Sequence, residues 1–226
     1  MNARVDHLAV VADSLEQGAQ WCEQTFGVQP VAGGKHPLMG THNCLLAISS
    51  ERFPKTYLEI IAIDPDAPAP PRPRWFAMDE PALRAAVREQ PRFVHMIART
   101  QMIEMLRWGL INCGVNPGEP LPMYRDAPEG RLSWRITVRD DGRTACDGAL
   151  PTLIQRDASS HPCDRLPASG VALSELVVRG VPEQAADVLK LGGLRLAPRA
   201  AAPAREAALS ATFETPRGAV VLHSWP

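Results

Sequence analysis

The sequence predicts an α+β fold assembled from a repeated strand–helix–strands unit. Three observations carry that expectation. Val5-Asp6-His7-Leu8-Ala9-Val10-Val11 reads as a short apolar strand with one histidine, and Phe93-Val94-His95-Met96-Ile97-Ala98-Arg99 nearly repeats it. Each is followed by a stretch with helical periodicity. Further on in the first repeat comes Thr56-Tyr57-Leu58-Glu59-Ile60-Ile61, an apolar strand with one carboxylate in it.

The first unit spans residues 1–65. After its opening strand, Asp13 or Ser14 caps a helix, and Glu16 is placed to close a capping box onto Asp13. Leu15, Ala19, Cys22 and Phe26 form the buried stripe, and Gly27 suits the left-handed residue that ends a helix. A strand near Val28–Ala32, a polar loop over residues 33–43, and strands at Asn43–Ile48 and Thr56–Ile63 follow. Residues 66–91 begin as a proline-rich linker that can be neither helix nor central strand. They end in a short helix, Asp79–Gln90, with Pro81 in its first turn. The second unit spans 92–160, with a helix from Gln101 to Cys113 stopped by Gly114, then strands at Leu132–Val138 and Leu150–Gln155. Residues 161–226 read as a partial third βαββ unit: strand Val171–Val178, helix Pro182–Leu191, and a hairpin of Leu209–Glu214 and Ala219–His223. Units repeated in this way pair to bury their shared faces.

Composition excludes several classes. A net charge of −1 leaves no electrostatic footprint for nucleic acid or an anionic membrane, and the scattered tryptophans form no stacking platform for bases. No apolar run approaches the roughly 18 residues of a membrane span. Met1-Asn2-Ala3-Arg4 leads straight into a strand with no signal-peptide core. Five cysteines, an odd count without paired spacing, argue against a disulfide framework or zinc knuckle. The expectation is a cytoplasmic protein with reduced thiols. No Ser-His-Asp or Cys-His arrangement is recognisable.

His7 and Glu59 are the first candidates for chemistry. Side chains alternate faces along a strand, and Glu59 sits among apolar neighbours where a carboxylate needs a partner. That partner is either a divalent metal shared with an imidazole or a nearby Arg or His. His95 holds the place in the second unit that His7 holds in the first. It reads as a second site histidine or as a strand histidine bonded to backbone. Gln155 stands in the last strand of the second unit as Glu59 does in the first, so the candidate set is His7, Glu59, His95 and Gln155. In the glycine loop, Lys35, His36, Thr41 and Asn43 could read a substrate carboxylate or carbonyl, or belong to a plain turn. No Gly-Lys-Ser/Thr makes it a phosphate loop. His161-Pro162 closes over the cleft or is a simple turn. Trp134 lines a pocket or packs in the core.

Val5-Asp6-His7-Leu8, Thr25-Phe26-Gly27-Val28, Gly33-Gly34-Lys35-His36, Gly40-Thr41-His42-Asn43 and Tyr57-Leu58-Glu59-Ile60-Ile61 together resemble the glyoxalase-like domain family of the vicinal oxygen chelate superfamily. The similarity is strongest to about residue 65. It returns at His161-Pro162 and at the closing hairpin with Thr215-Pro216-Arg217-Gly218. The resemblance implies paired βαβββ modules whose curved sheets form a cup, with a partial third unit attached. It implies a divalent ion (Zn, Ni, Mn or Fe) held by His7, Glu59, His95 and Gln155. It implies a substrate contacted by Lys35, His36, Thr41, Asn43, Trp134 and His161, with Glu59 as the acid–base group. The expected function is that of a metal-dependent enzyme of lyase, isomerase or dioxygenase type, chelating two oxygens of a small metabolite. The rivals are a metal-free protein that sequesters a small molecule and a non-catalytic regulatory module whose cup is filled by its own side chains. The last unit is placed either to cover a sheet edge or to mediate self-association as a homodimer.

Overall fold

A computed structural model of the protein describes residues 3–127, 130–157, 161–199 and 206–225. Module one comprises β1 (Arg4–Val11), α1 (Leu15–Phe26), β2 (Val31–His36), β3 (Thr41–Ala47) and β4 (Tyr57–Ile63). The connecting segment carries α2 (Pro81–Glu89). Module two repeats the order with β5 (Arg92–Arg99), α3 (Ile103–Asn112), β6 (Glu119–Ala127), β7 (Gly130–Val138) and β8 (Thr152–Arg156). The eight strands form one sheet in the order β2-β3-β4-β1-β5-β8-β7-β6. In each module the first strand pairs parallel with the last, and the modules join through the antiparallel pair β1–β5. The edge strands β2 and β6 approach each other, so the sheet curls into the expected cup.

The third unit is β9 (Ala172–Arg179), α4 (Glu183–Leu189), β10 (Arg195–Ala197), β11 (Leu209–Thr215) and β12 (Gly218–His223), in a separate sheet of order β10-β9-β11-β12. The short β10 adds one strand to the βαββ pattern read from the sequence. Leu173, Leu176, Val178, Leu209 and Phe213 of this sheet pack with Phe26 of α1 against Leu8, Val10, Leu58 and Ile60. They cover the convex face of module one. On module two the same role falls to α3 and α4, which bury Ile103, Leu106, Leu110, Ala185 and Leu189 against Ala98 and Leu153.

Local chemistry explains the boundaries. Ser14 caps α1 by accepting from Gln17 N at 3.1 Å, and Gln17 Oε1 accepts from Asp13 N at 2.9 Å. The reciprocal partner is therefore Gln17 rather than Glu16. Gly27 closes the helix with φ 78° and donates to Glu23 O at 2.8 Å. The segment read as a glycine loop is largely strand. Gly33-Gly34 form a bulge in which the β2–β3 register shifts between Ala32 and Lys35, and pairing resumes at Lys35–His42. β6 was not read from the sequence because Pro120 and Pro122 argue against a central strand; it lies at the sheet edge, where proline is tolerated.

The concave face has two ends. Along β1 the inward residues are His7, Ala9 and Val11; along β4, in parallel register, they are Tyr57, Glu59 and Ile61. The end at Val11 and Ile61 is apolar and filled from within. There the connecting segment packs Trp75, Phe76 and Met78, with Leu83 and Val87 of α2, against Met39, Ile97 and Ile136. The end at His7 and Glu59 is polar. No helix among the described residues is long and apolar enough to cross a membrane.

Candidate functional site

The polar end is built on a bulge. The β1–β5 register shifts between Val5 and His7, so Asp6 is the extra residue and its side chain turns to meet its neighbour. Asp6 Oδ1 lies 2.7 Å from His7 Nδ1 and 2.7 Å from Arg156 Nη2. Asp6 Oδ2 accepts from His161 Nε2 at 3.0 Å. The ring of His7 stacks on Tyr57 at 4.6 Å, and the Tyr57 hydroxyl accepts from Arg156 at 3.1 Å. His7 Nε2 then faces Glu59 Oε2 at 3.4 Å. Asp6, His7 and Glu59 form one buried line.

Glu59 is held from its other side. Asn43 Nδ2 donates to Glu59 Oε1 at 2.5 Å, and Asn43 Oδ1 accepts from Gly34 N at 2.8 Å. A Cβ at Gly33 would strike the Asn43 amide, which is why the bulge needs glycine there. His36 Nε2 lies 4.0 Å from Glu59 Oε1, and His36 Nδ1 lies 3.1 Å from Thr41 Oγ1. Trp75 and Trp134 present their edges to the His36 ring at 5.1 and 6.2 Å.

Charge follows from these contacts. Burial works to raise the carboxyl pKa of Glu59, but the His7 hydrogen bond and charge, with His36 and Asn43, hold it at about 2. Burial works against a charged His7, and the bonds to Asp6 and Glu59 overturn that and raise its pKa. Asp6 stays ionised well below the usual carboxylate range, because Arg156 and the two histidines outweigh its burial. Burial and the Asp6 bond act oppositely on His161, and burial prevails to lower it.

The positions of module two that correspond to His7 and Glu59 are uncharged. The side chain of Thr152 places its hydroxyl 3.1 Å from His95 Nε2, and Thr152 N donates to that same nitrogen at 3.1 Å. The Nε2 lone pair is thereby occupied, which leaves the ring proton to Nδ1, a buried atom with no hydrogen-bond partner among the described residues. Burial, with the charge of His7, lowers the pKa of His95 to about 3.

Register identifies the true counterpart of Glu59. The residue two after His7, Ala9, pairs with Glu59; the residue two after His95, Ile97, pairs with Thr152. Gln155 lies three residues further on, and its Oε1 accepts from Ile103 N at 3.0 Å at the start of α3. This corrects the sequence expectation of Gln155 as the fourth ligand: a shift of an odd number of residues moves a strand side chain to the other face. Lys35 also stays outside the cup, since alternation turns His36 inward and leaves Lys35 exposed on Asp64 at 2.7 Å. His36, Thr41, Asn43, Trp134 and His161 all contact the network around Glu59 or Asp6. Asp6, Tyr57, Trp75, Thr152 and Arg156 were not read from the sequence. Asp6, next to His7 in the sequence, is the one whose place at the site had a local signal.

These donors do not make a four-ligand metal centre. His7 Nε2 and Glu59 Oε2 face one another, but His95 Nε2 is taken by Thr152 and the fourth position is a threonine. Among the described residues, no group of three or more His, Cys, Asp or Glu side chains is disposed to hold an ion.

A family model described as a glyoxalase-like domain matches residues 5–191. A hypothetical protein from Staphylococcus aureus is similar in structure, with TM-score 0.54 and 15% identity over 98% of this chain and 86% of the other. A methylmalonyl-CoA epimerase from Streptomyces coelicolor aligns over 70% of this chain and 100% of its own, at 13% identity and TM-score 0.44. One from Mycobacterium tuberculosis aligns over 68% and 88%, at 14% identity and TM-score 0.42. No curated protein is significantly similar. The match across both modules, on a cup of two βαβββ units, places the chain in the glyoxalase-like domain family.

Proposed function

We propose that the polar end of the cup binds a small oxygenated metabolite and moves a proton on it. The observation that supports this reading is the buried Asp6–His7–Glu59 line, with Glu59 fixed by Asn43. The same contact lowers the pKa of Glu59 and raises that of His7, so the pair carries its proton on the imidazole. Glu59 is then the general base and His7 Nε2–H the general acid. Glu59 takes a proton from the carbon beside a carbonyl, the electron pair moves onto the carbonyl oxygen, and His7 donates to that oxygen. Asp6 keeps the ring oriented and its charge balanced. Trp75 Nε1 and Arg156 Nε are buried donors without a protein partner, and substrate oxygens would satisfy them. The donor set stops short of a metal centre, so these side chains carry the proton transfer in this reading.

A metal-free sequestering protein is the second reading. It is favoured by the aromatic lining of the polar end, where Tyr57 stacks on His7 and Trp75 and Trp134 meet the His36 ring. Both readings are tested by following solvent deuterium entry into a panel of 2-oxo and 2-hydroxy carboxylates by proton NMR. Exchange slowed at least hundredfold in Glu59→Gln, with binding retained, is the expected result. Binding without exchange for every member leaves the sequestering reading. Stoichiometric divalent metal that is lost in His7→Ala would overturn the side-chain-only chemistry.

A further inference from the structure

A cleft of about 240 Å³ lies outside the cup, where the start of β1 meets the loop before β4 and the turn after α4. Arg4, Arg52 and Arg99 line it, together with Glu51 and the Gly192–Gly193 backbone. Most described arginines elsewhere pair with a carboxylate, from Arg72 and Arg74 through Arg156 to Arg195 and Arg199. These three do not. The Arg99 guanidinium is anchored only by backbone carbonyls, with Nη1 on Val5 O and Lys55 O and Nη2 on Pro54 O at 2.5–2.9 Å. Arg52 spends Nε on Gly193 O at 2.6 Å, which leaves both its terminal nitrogens. Arg4 is exposed, and among the described residues its side chain makes no hydrogen bond or ion pair. Burial lowers the pKa of Arg99; the charge of Asp6 opposes this and that of Arg4 adds to it.

We propose that this cleft binds a phosphoryl group, either free phosphate or the phosphate of a small phosphorylated metabolite. Three guanidiniums against the single carboxylate of Glu51 leave a net charge of two, which matches the roughly −1.5 to −2 of a phosphate monoester near pH 7. Guanidinium forks suit phosphate oxygens bidentately. The volume falls below the roughly 300–1,000 Å³ of a pocket for a drug-sized ligand, so it suits one such group with little attached. The carbonyl groups that hold Arg99 spend three of its five N–H groups and fix the guanidinium before anything binds, leaving Nε–H and one Nη2–H, so little ordering is required of the site. The proposal is independent of the chemistry assigned to the cup.

The test is calorimetric titration at constant ionic strength with inorganic phosphate and, in a second arm, glycerol 3-phosphate, with acetate as control. The expected result is saturable one-to-one binding of at least one phosphoryl compound, absent for acetate, and weakened at least tenfold in Arg4→Gln/Arg52→Gln. The order of the two affinities tells free phosphate from a phosphorylated metabolite. Both substituted side chains are exposed, and a thermal melt checks that the variant folds. Heats for both phosphoryl compounds no larger than those for acetate, or a variant that binds as tightly as the parent, would overturn the proposal.

Discussion

The two modules share one chain path and differ in charge. Each has a bulged residue before its first-strand histidine: Asp6 before His7, and Val94 before His95. Each has a last-strand residue in the same register: Glu59 in module one and Thr152 in module two. In module one all three positions ionise and bind one another. In module two they are a valine packed in the cup core, a histidine lowered to about 3, and a hydroxyl. A shared backbone thus carries an ionised set of three side chains in one half and an uncharged set in the other. The difference teaches that a module's topology positions donors, while three side chains decide whether they are charged.

The comparison is broken most completely by making the modules alike. Thr152→Glu restores a carboxylate at the register of Glu59 and removes the hydroxyl from His95 Nε2. The expected outcome is gain of stoichiometric divalent metal, at least hundredfold tighter than in the parent, read by metal analysis after dialysis. Unchanged metal content would mean that the main-chain N–H of Thr152 alone keeps His95 closed.

Next in size is the bulge. Asp6 compensates Arg156, whose side chain is only 17% exposed, and His161. Asp6→Asn leaves that cation without its counter-charge and is expected to lose about 3–5 kcal/mol in denaturant unfolding. Val94→Ala, at the matching place in module two, removes only buried methyl groups and is expected to lose less. Equal losses would show that the Asp6 network adds nothing beyond packing.

The pH dependence separates the halves without a large structural change. His95 has a folded pKa of about 3 against 6.5 unfolded, so between those values the unfolded chain binds more protons. Stability is therefore lost as pH falls from 6.5 toward 3, at up to about 1.4 kcal/mol per pH unit. Glu59, held at about 2, contributes stability above 4.5 that is lost as pH falls from 4.5 toward 2. His7 has the opposite sign: its raised pKa gives stability that is lost as pH rises above 6.5 through the folded value. Melting curves of His95→Gln should flatten the slope between pH 6.5 and 4.5, whereas Glu59→Gln should change it below 4.5 and, through the partner lost to His7, above 6.5.

Module one was legible in the sequence because its site residues are charged and its strands apolar. Val5–Val11 and Tyr57–Ile61 announce both the sheet and the odd groups within it. What stayed hidden depends on contacts between distant segments. Thr152 has no signal of its own, and only the β5–β8 register makes it the partner of His95. Arg156 looks like any charged residue at a strand end until Asp6 and Tyr57 are placed beside it. Trp75 and Phe76 sit after a proline-rich run that reads as linker, yet they fill the cup.

Gln155 offers the smallest effect and the sharpest distinction between a site residue and a scaffold residue. Residue Met102 begins α3 without a side-chain cap of its own, and Gln155 reaches across from β8 to accept from Ile103 N. A helix start has unpaired N–H groups that need such acceptors. Gln155→Ala should therefore lose about 1 kcal/mol of stability, the usual size of a lost cap. Metal content and any deuterium exchange at the cup should stay at parent levels, because the side chain faces α3. A variant of parental stability that loses exchange would return Gln155 to the cup and undo the register that makes Thr152 the counterpart of Glu59.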